Sequence, residues 1–374
     1  MMETTLWLCA GLVALLIGGE LTVRGGTGLS RAFGVSPLFI GLTVVAFGSS
    51  APELVVNLIG AFSDQTDLAF GGVVGSNLAN IGLVLALATI IASIRIQGQV
   101  IRKEIPLLLL VTTALVVLCL DPWLTGGPAV LDRSDALILL LLFVLFMYVS
   151  VSDVLRDRRA DPLARAVEQV SGHSSVPLSA AHADAEVGAP EAVAAGTETV
   201  PPESDLPVTE DGAPAVAAGA PKGALAPSIG FLLAGLTLLV LGGDLTVTHA
   251  TSLANLFGAP SVVIGLAVVA IGTSLPELVT SIVAALRGEP DLAVGNVIGS
   301  NLFNTAFVLG ITGLVTPVPV PQGGMFDLLV GMFFVALLIP FALTGPRKLV
   351  RVEGAVLLLG YLVYLGLRFS GVGG

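Results

Sequence analysis

The 374 residues are 55% hydrophobic and only 11% charged, with a mean hydropathy of +0.97. A soluble domain carries about a quarter charged residues, so this excess of apolar side chains is too large for one buried core and indicates a polytopic membrane protein. The formal net charge of -11 does not make the chain an acidic soluble protein, because many of its acids fall in one linker, and its 16 basic residues sit at helix ends rather than in a nucleic-acid footprint.

Stretches of about 20 apolar residues, enough to cross hydrocarbon, recur along the chain. They fall near 5–24, 36–62, 68–92, 104–122, 133–151, 227–248, 259–286, 291–314, 325–343 and 349–368, which predicts ten spans. The N-terminus has no basic segment ahead of its apolar run, so the first stretch reads as a retained helix rather than a cleaved signal. Cys9 and Cys119 lie in apolar stretches without metal-ligand spacing and read as small membrane hydrophobes. Glycine and proline interrupt the second and seventh stretches, at Gly48 to Pro52 and Gly272 to Pro276.

Residues 152–226 differ in kind, being rich in Ala, Pro, Glu, Ser and Val with few aromatics. Ten acids and two basic residues lie between 160 and 225, a composition that cannot bury enough surface to fold and predicts a disordered acidic linker. Its arginine-bearing start, Val151 to Val170, reads as a short surface helix. The predicted organisation is a five-helix repeat over 1–151, the linker over 152–226, and a second repeat over 227–374. With the N-terminus outside, fourteen of the sixteen Lys and Arg residues fall on the cytoplasmic side, Arg133 and Arg368 excepted. That bias predicts both termini outside and the linker cytoplasmic.

The two halves repeat. Gly41 to Glu53 and Gly265 to Glu277 agree at nine of thirteen positions, with an offset of 224. The same offset pairs Gly71 to Asn80 with Gly295 to Asn304, and Gly18-Gly19-Glu20 with Gly242-Gly243-Asp244. Polar residues held in one register across apolar helices mark a duplication. Five spans per half place the second half upside down, the inverted-repeat architecture of secondary transporters, with sites formed where helices break near the midplane.

Glu53 and Glu277 lie inside apolar spans, where a carboxylate must face a cavity, a cation or a basic partner. The second, third, seventh and eighth spans contain no Lys or Arg, which removes the last option. Pro52 and Pro276 each remove a backbone donor and free a carbonyl nearby. Ser49, Ser50, Thr273 and Ser274 add hydroxyls. Ser76 with Asn80, and Ser300 with Asn304, share a helix face at i, i+4 and complete an oxygen-rich shell suited to a hard cation. Asn77 and Asn301 read equally as ligands or as interhelical scaffold. Glu20 and Asp244 draw cations to an access path or are simply helix-end carboxylates. Asp64, Asp67, Asp121, Asp132 and Asp135 read as loop acids. His173, His182 and His249 form no zinc or catalytic set, and with no asymmetric nucleophile the chain does not read as an enzyme.

These motifs, Gly-(Ser/Thr)-Ser-x-Pro-Glu followed by Gly-Ser-Asn-x-x-Asn, each present twice, resemble the sodium/calcium exchanger branch of the cation/calcium antiporter family. The resemblance covers both halves and leaves out the linker. It implies an all-α fold in which the first and sixth helices slide past a rigid bundle, and exchange of Ca²⁺ for Na⁺ in the inner membrane by alternating access. It also implies no cofactor, and as partners only the bilayer and inorganic cations. Carried over residue by residue, the carboxylate ligands are Glu53 and Glu277. The hydroxyl ligands are Ser49, Ser50, Ser76, Thr273, Ser274 and Ser300, Asn80 is an amide ligand, and Ala46 and Ala270 offer carbonyls. Asn304 departs from the family's aspartate, leaving two carboxylates and putting the coupling ion in question. Ca²⁺/H⁺ exchange, K⁺-dependent Na⁺/Ca²⁺ exchange and a cation channel are the alternatives. No oligomeric state follows from the sequence.

Overall fold

The computed structural model describes residues 2–62, 67–121, 126–172, 225–256, 270–343 and 348–370, and these are almost entirely helical. The first helix, α1 (Met2–Phe33), outruns its apolar stretch by more than two turns. It continues through Gly25 and Gly28 because those glycines pack on Leu232 and Ser228 of α7 (Leu225–Leu256). The approach of α1 to α7 is antiparallel and follows a seven-residue rhythm. A Cβ on Gly11, Gly18 or Gly25 would meet α7 at Thr246, Leu239 and Leu232 respectively. Gly235 and Gly242 present the same bare face to α1. Such small-residue seams let helix backbones touch where no hydrophobic effect drives association.

The second span is broken. Ser36 caps α2 (Pro37–Ser49) by accepting from the Phe39 N–H, with Pro37 at the first turn. Residues Gly41–Val45 form a π-helical turn. At Ser50 the backbone leaves helical geometry (φ -86°, ψ 3°), and α3 (Ala51–Phe62) resumes at a 42° bend. The second half repeats the break. The turn α8 (Ala270–Thr273) meets α9 (Leu275–Leu286) at Ser274, whose φ of -89° and ψ of 6° match Ser50. The preceding part of that stretch, 257–269, lies outside the described residues.

The remaining helices are α4 (Ala69–Ile91), α5 (Ile105–Leu118, entered by a π turn over Val100–Glu104), α6 (Arg133–Gly172), α10 (Pro290–Val315), α11 (Gly324–Leu343) and α12 (Arg351–Phe369). Among the described residues seven helices are long and apolar enough to cross a membrane, eight with the bent pair α2–α3 counted as one span. The ten predicted spans are compatible with this set. Phe33-side and Leu256-side extensions aside, every predicted stretch falls on a helix, although the seventh is described only from Ala270.

The chain divides into two units, Met1–Ser150 with Ala218–Gly374, and Val151–Ala217. In the second unit the described residues are helical to Gly172, and α7 begins at Leu225. The rest of the predicted linker, 173–224, lies outside the described residues.

The repeat is visible as an approximate two-fold relation. Asn77 Nδ2 donates to the Asn301 carbonyl at 3.4 Å, and Asn301 Nδ2 donates to the Asn77 carbonyl at 3.2 Å. The two residues are 224 apart, so they are repeat partners holding each other. Short strands obey the same relation. β1 (Ile94–Arg95) pairs antiparallel with β4 (Lys348–Leu349), and β2 (Val130–Leu131) with β3 (Val318–Pro319), each joining one half to the other. The fold is therefore an all-α polytopic membrane protein of two inverted repeats. Its core, built on α4, α5, α10, α11 and α12, includes Phe70, Leu78, Leu85, Leu108, Ile298 and Leu309.

Candidate cation site

The two breaks set the site. Proline has no N–H, so the carbonyls of Gly48 and Gly272, four residues before Pro52 and Pro276, lose their usual helical donors. Just past each break sits a glutamate, one turn into the next helix. Glu53 is 4% exposed and Glu277 is 1% exposed. Among the described residues neither forms an ion pair.

Around them the structure gathers the predicted hydroxyls across the repeat interface. Ser50 Oγ donates to Glu277 Oε1 at 3.3 Å. Ser49 and Ser300 hydroxyls lie 3.4 Å apart. Their repeat partners, Thr273 and Ser76, lie at the same 3.4 Å. Asn80 donates Nδ2 to Asn301 Oδ1 at 3.0 Å, leaving its own Oδ1 buried with no donor. Asn304 is wholly buried and both of its amide atoms lack partners.

The carbonyl of Ala46 receives the Ser50 N–H at 3.0 Å and the Ser49 hydroxyl at 3.4 Å. Ala270 opens the short turn α8, so its backbone stands where Ala46 stands in the first repeat.

The arrangement has one chemical signature. Both oxygens of Glu53, Oε2 of Glu277, the Ser274 hydroxyl, Asn80 Oδ1 and Asn304 Oδ1 are buried without a hydrogen-bond partner. Burying one such atom unpaired costs about 1–3 kcal/mol, more when it is charged. A cluster of them, mostly acceptors and including two carboxylates, is a cage that a hard cation would satisfy. Among the described residues no group of three or more His, Cys, Asp or Glu side chains forms. The cage is therefore two carboxylates completed by neutral oxygens, as Asn304 dictates.

Several neighbours escaped the sequence reading. Asn57 donates to the Glu53 carbonyl at 2.7 Å, one turn along α3. In the other half Asn296 Nδ2 reaches the Glu277 carbonyl at 3.5 Å and Ser281 Oγ at 3.1 Å, while its Oδ1 accepts from Ser49 at 3.2 Å. Asn57 and Ser281 are repeat partners, each four residues past its glutamate, and that spacing was the available signal. Asn296 replaces Gly72 of the first repeat, so symmetry concealed it.

Other candidates stand apart. Glu20 lies inside α1, not at a helix end, and pairs with Arg24 and with Arg287, so it is a carboxylate with basic partners rather than a cage ligand. Asp244 is exposed on α7. His249 bonds the Leu245 carbonyl and stacks on Trp7. Asp132 and Asp135 cap α6 together. Asp64, His173 and His182 lie outside the described residues.

Fold and site together define a class, a membrane protein of two inverted repeats with a buried cluster of partnerless oxygens between them. The model of the family described as "Sodium/calcium exchanger protein" matches residues 3–152 and 227–370, and the chain belongs to that family. Relatives agree over nearly full length. The chain is 32% identical over 373 residues to the putative antiporter CaxA of Alkalimonas amylolytica, covering 99% of this chain and 100% of that one. It is 33% identical over 319 residues to the inner membrane protein YrbG of Escherichia coli (strain K12), covering 85% and 81%. Among solved structures, the sodium-calcium exchanger NCX_Mj superposes with a TM-score of 0.72 at 25% identity, covering 98% of both chains.

Proposed function

We propose that the protein exchanges Ca²⁺ for Na⁺ across an inner membrane by alternating access, with the ion held between Glu53 and Glu277. The observation that carries this reading is the cage of partnerless oxygens around two carboxylates that, among the described residues, have no basic partner to neutralise them. The proposed ligands are the carboxylates of Glu53 and Glu277, the hydroxyls of Ser49, Ser50, Ser76, Thr273, Ser274 and Ser300, the amides of Asn80 and Asn304, and the carbonyls of Ala46 and Ala270. Two carboxylates balance one Ca²⁺, and the hydroxyls and amides supply the further oxygens that its six to eight coordination requires. Na⁺ competes for the same oxygens.

The membrane assignment draws on the relative named an inner membrane protein. The orientation draws on the Lys and Arg distribution, which favours both termini outside and the 173–224 segment in the cytoplasm. Relatives named as exchangers and antiporters support a carrier over an enzyme.

The test is ⁴⁵Ca²⁺ uptake into proteoliposomes under an imposed Na⁺, K⁺ or H⁺ gradient. Uptake driven by Na⁺ alone is the expected result. No uptake under any gradient overturns the reading, and uptake driven only by H⁺ replaces the coupling ion.

A further inference from the structure

The two halves hold their ligand asparagines differently, and one side chain accounts for the difference. In the first repeat, Asn80 is anchored: its Nδ2 donates to Asn301 Oδ1 at 3.0 Å, which leaves Asn80 Oδ1 buried and open to a ligand. Two-fold symmetry would have Asn304 Nδ2 donate to Asn77 Oδ1. That bond is not made. Asn77 Oδ1 has no partner, and neither atom of the Asn304 amide has one.

Asn77 is instead turned toward Thr305, donating its Nδ2 to the Thr305 hydroxyl at 2.7 Å. This bond has no counterpart in the other half, because the repeat partner of Thr305 is Ile81, which offers no acceptor. Asn301, facing Ile81, therefore keeps its oxygen free for Asn80. Asn77, facing Thr305, does not present its oxygen to Asn304. A cavity of about 20 Å³ lined by Asn77, Ile81, Thr112, Asn301 and Thr305 leaves space beside the Asn77 and Asn301 amides.

We propose that Thr305 is a positioning residue of the cation site: by capturing Asn77 it leaves Asn304 unanchored, so that the site has one fixed amide ligand, Asn80, and one free to turn. A free amide can direct its oxygen to a bound cation or its N–H₂ to a carboxylate when the cation leaves, which adapts one cage to two ions of different charge. A fixed amide is preorganised for a cation at all times and holds the higher charge more tightly. This proposal rests on the ion-site reading above.

The test measures ⁴⁵Ca²⁺ equilibrium binding to the purified full-length protein, then uptake after reconstitution. In Thr305→Val the Asn77 amide loses its acceptor, retains the Asn301 carbonyl, and is released to accept from Asn304 as Asn301 does from Asn80. Calcium affinity is expected to rise about two- to tenfold, the worth of one ordering hydrogen bond. Competition by Na⁺ is expected to weaken. Thr305→Ser keeps the hydroxyl and is expected to bind as wild type does. The reciprocal change, Ile81→Thr, gives Asn301 a hydroxyl to capture, releases Asn80 and is expected to weaken Ca²⁺ binding by a similar factor.

Equal affinity in Thr305→Val and Thr305→Ser overturns the proposal. So does wild-type or tighter binding in Ile81→Thr, which decides the matter even where Thr305→Val does not fold. Absence of Ca²⁺ binding by the wild type overturns the ion-site reading and this proposal with it. Wild-type binding without the Thr305→Val change overturns this proposal alone.

Discussion

Glu53→Gln tests the cage most directly, because it keeps the shape of the side chain and removes one of two charges. Both carboxylate oxygens of Glu53 are buried without partners, so nothing in the protein depends on its charge for a hydrogen bond. The bound dication does depend on it. Removing one member of a buried ion pair costs about 3–5 kcal/mol. At about 1.4 kcal/mol per decade, that is a loss of roughly two hundred- to several thousand-fold in Ca²⁺ affinity.

The loss has a thermodynamic readout that does not need transport. At a Ca²⁺ concentration a hundredfold above the wild-type Kd, the ion stabilises the wild type by about 2.7 kcal/mol. At the same concentration a variant weakened two hundredfold gains only about 0.2 kcal/mol. Thermal unfolding in mild detergent, with and without Ca²⁺, should show the wild-type Tm rise and the variant barely respond. Without Ca²⁺ the variant should be at least as stable as wild type, since an amide relieves the repulsion between two facing carboxylates. A Ca²⁺-dependent Tm rise equal to wild type would refute the cage. An ion-free variant markedly less stable than wild type would show that Glu53 is structural.

Glu20→Gln is expected to leave the Ca²⁺-dependent Tm rise intact and to cost about 0–1 kcal/mol of stability, the range for exposed ion pairs such as those Glu20 makes with Arg24 and Arg287; loss of the Ca²⁺ response would make it a ligand. Gly18→Ala and Gly242→Ala should each destabilise by about 1–3 kcal/mol in detergent unfolding, because a Cβ at either glycine meets opposing backbone at 2.8 Å. Gly366→Ala, with no atom within 4 Å of the new Cβ, should be neutral or stabilise by up to about 1 kcal/mol. Asp132→Ala should cost about 1 kcal/mol, since Asp132 Oδ1 accepts the Ser134 N–H at 2.7 Å and the Asp135 N–H at 3.0 Å at the start of α6. The Asp135 N–H holds the Asp132 carboxyl below its usual 3.8, so this contribution is present at neutral pH and lost as pH falls through the lowered value, which acid unfolding of wild type and variant would register.

The glutamates, serines and asparagines of the cage could be read from sequence because each occurs twice at one offset. Apolar helices tolerate almost any greasy substitution, so a polar residue kept in both copies stands out against them. What symmetry does not repeat was hidden. Asn296 stands opposite Gly72 and Thr305 opposite Ile81, and both proved to touch the site through side chains that only one half possesses. Helix ends were hidden for a different reason. Hydropathy falls at Arg24 and Gly25, yet α1 continues because its glycines are covered by α7, a tertiary contact that periodicity cannot register. The glycine rhythm at 11, 18 and 25 was present in the sequence. It gained meaning only when α7 supplied the surface against which it is bare.

The departures from two-fold symmetry extend beyond the asparagines and bear on how the protein works. Gly19 of α1 packs against Val279 and Val283 of α9. The repeat partners of those valines, Val55 and Ile59 on α3, are 54% and 61% exposed. Gly243, the partner of Gly19, meets Pro276 instead. The α1–α7 pair therefore covers one half of the core and leaves the equivalent face of the other half open. Ion pairs reinforce the covered side: Arg287, at the end of α9, binds Glu20 of α1, and Glu289 lies 4.0 Å from Arg31. By sequence the positions related to Arg287 and Glu289 are Ser63 and Gln65, neither of which carries a charge to form the same pair. On the orientation proposed above, the covered side is cytoplasmic and the open side external. The glycine-sealed α1–α7 pair thus packs on α9 of one half and not on the equivalent face of α3 in the other, so two halves of one sequence present different surfaces around their glutamates.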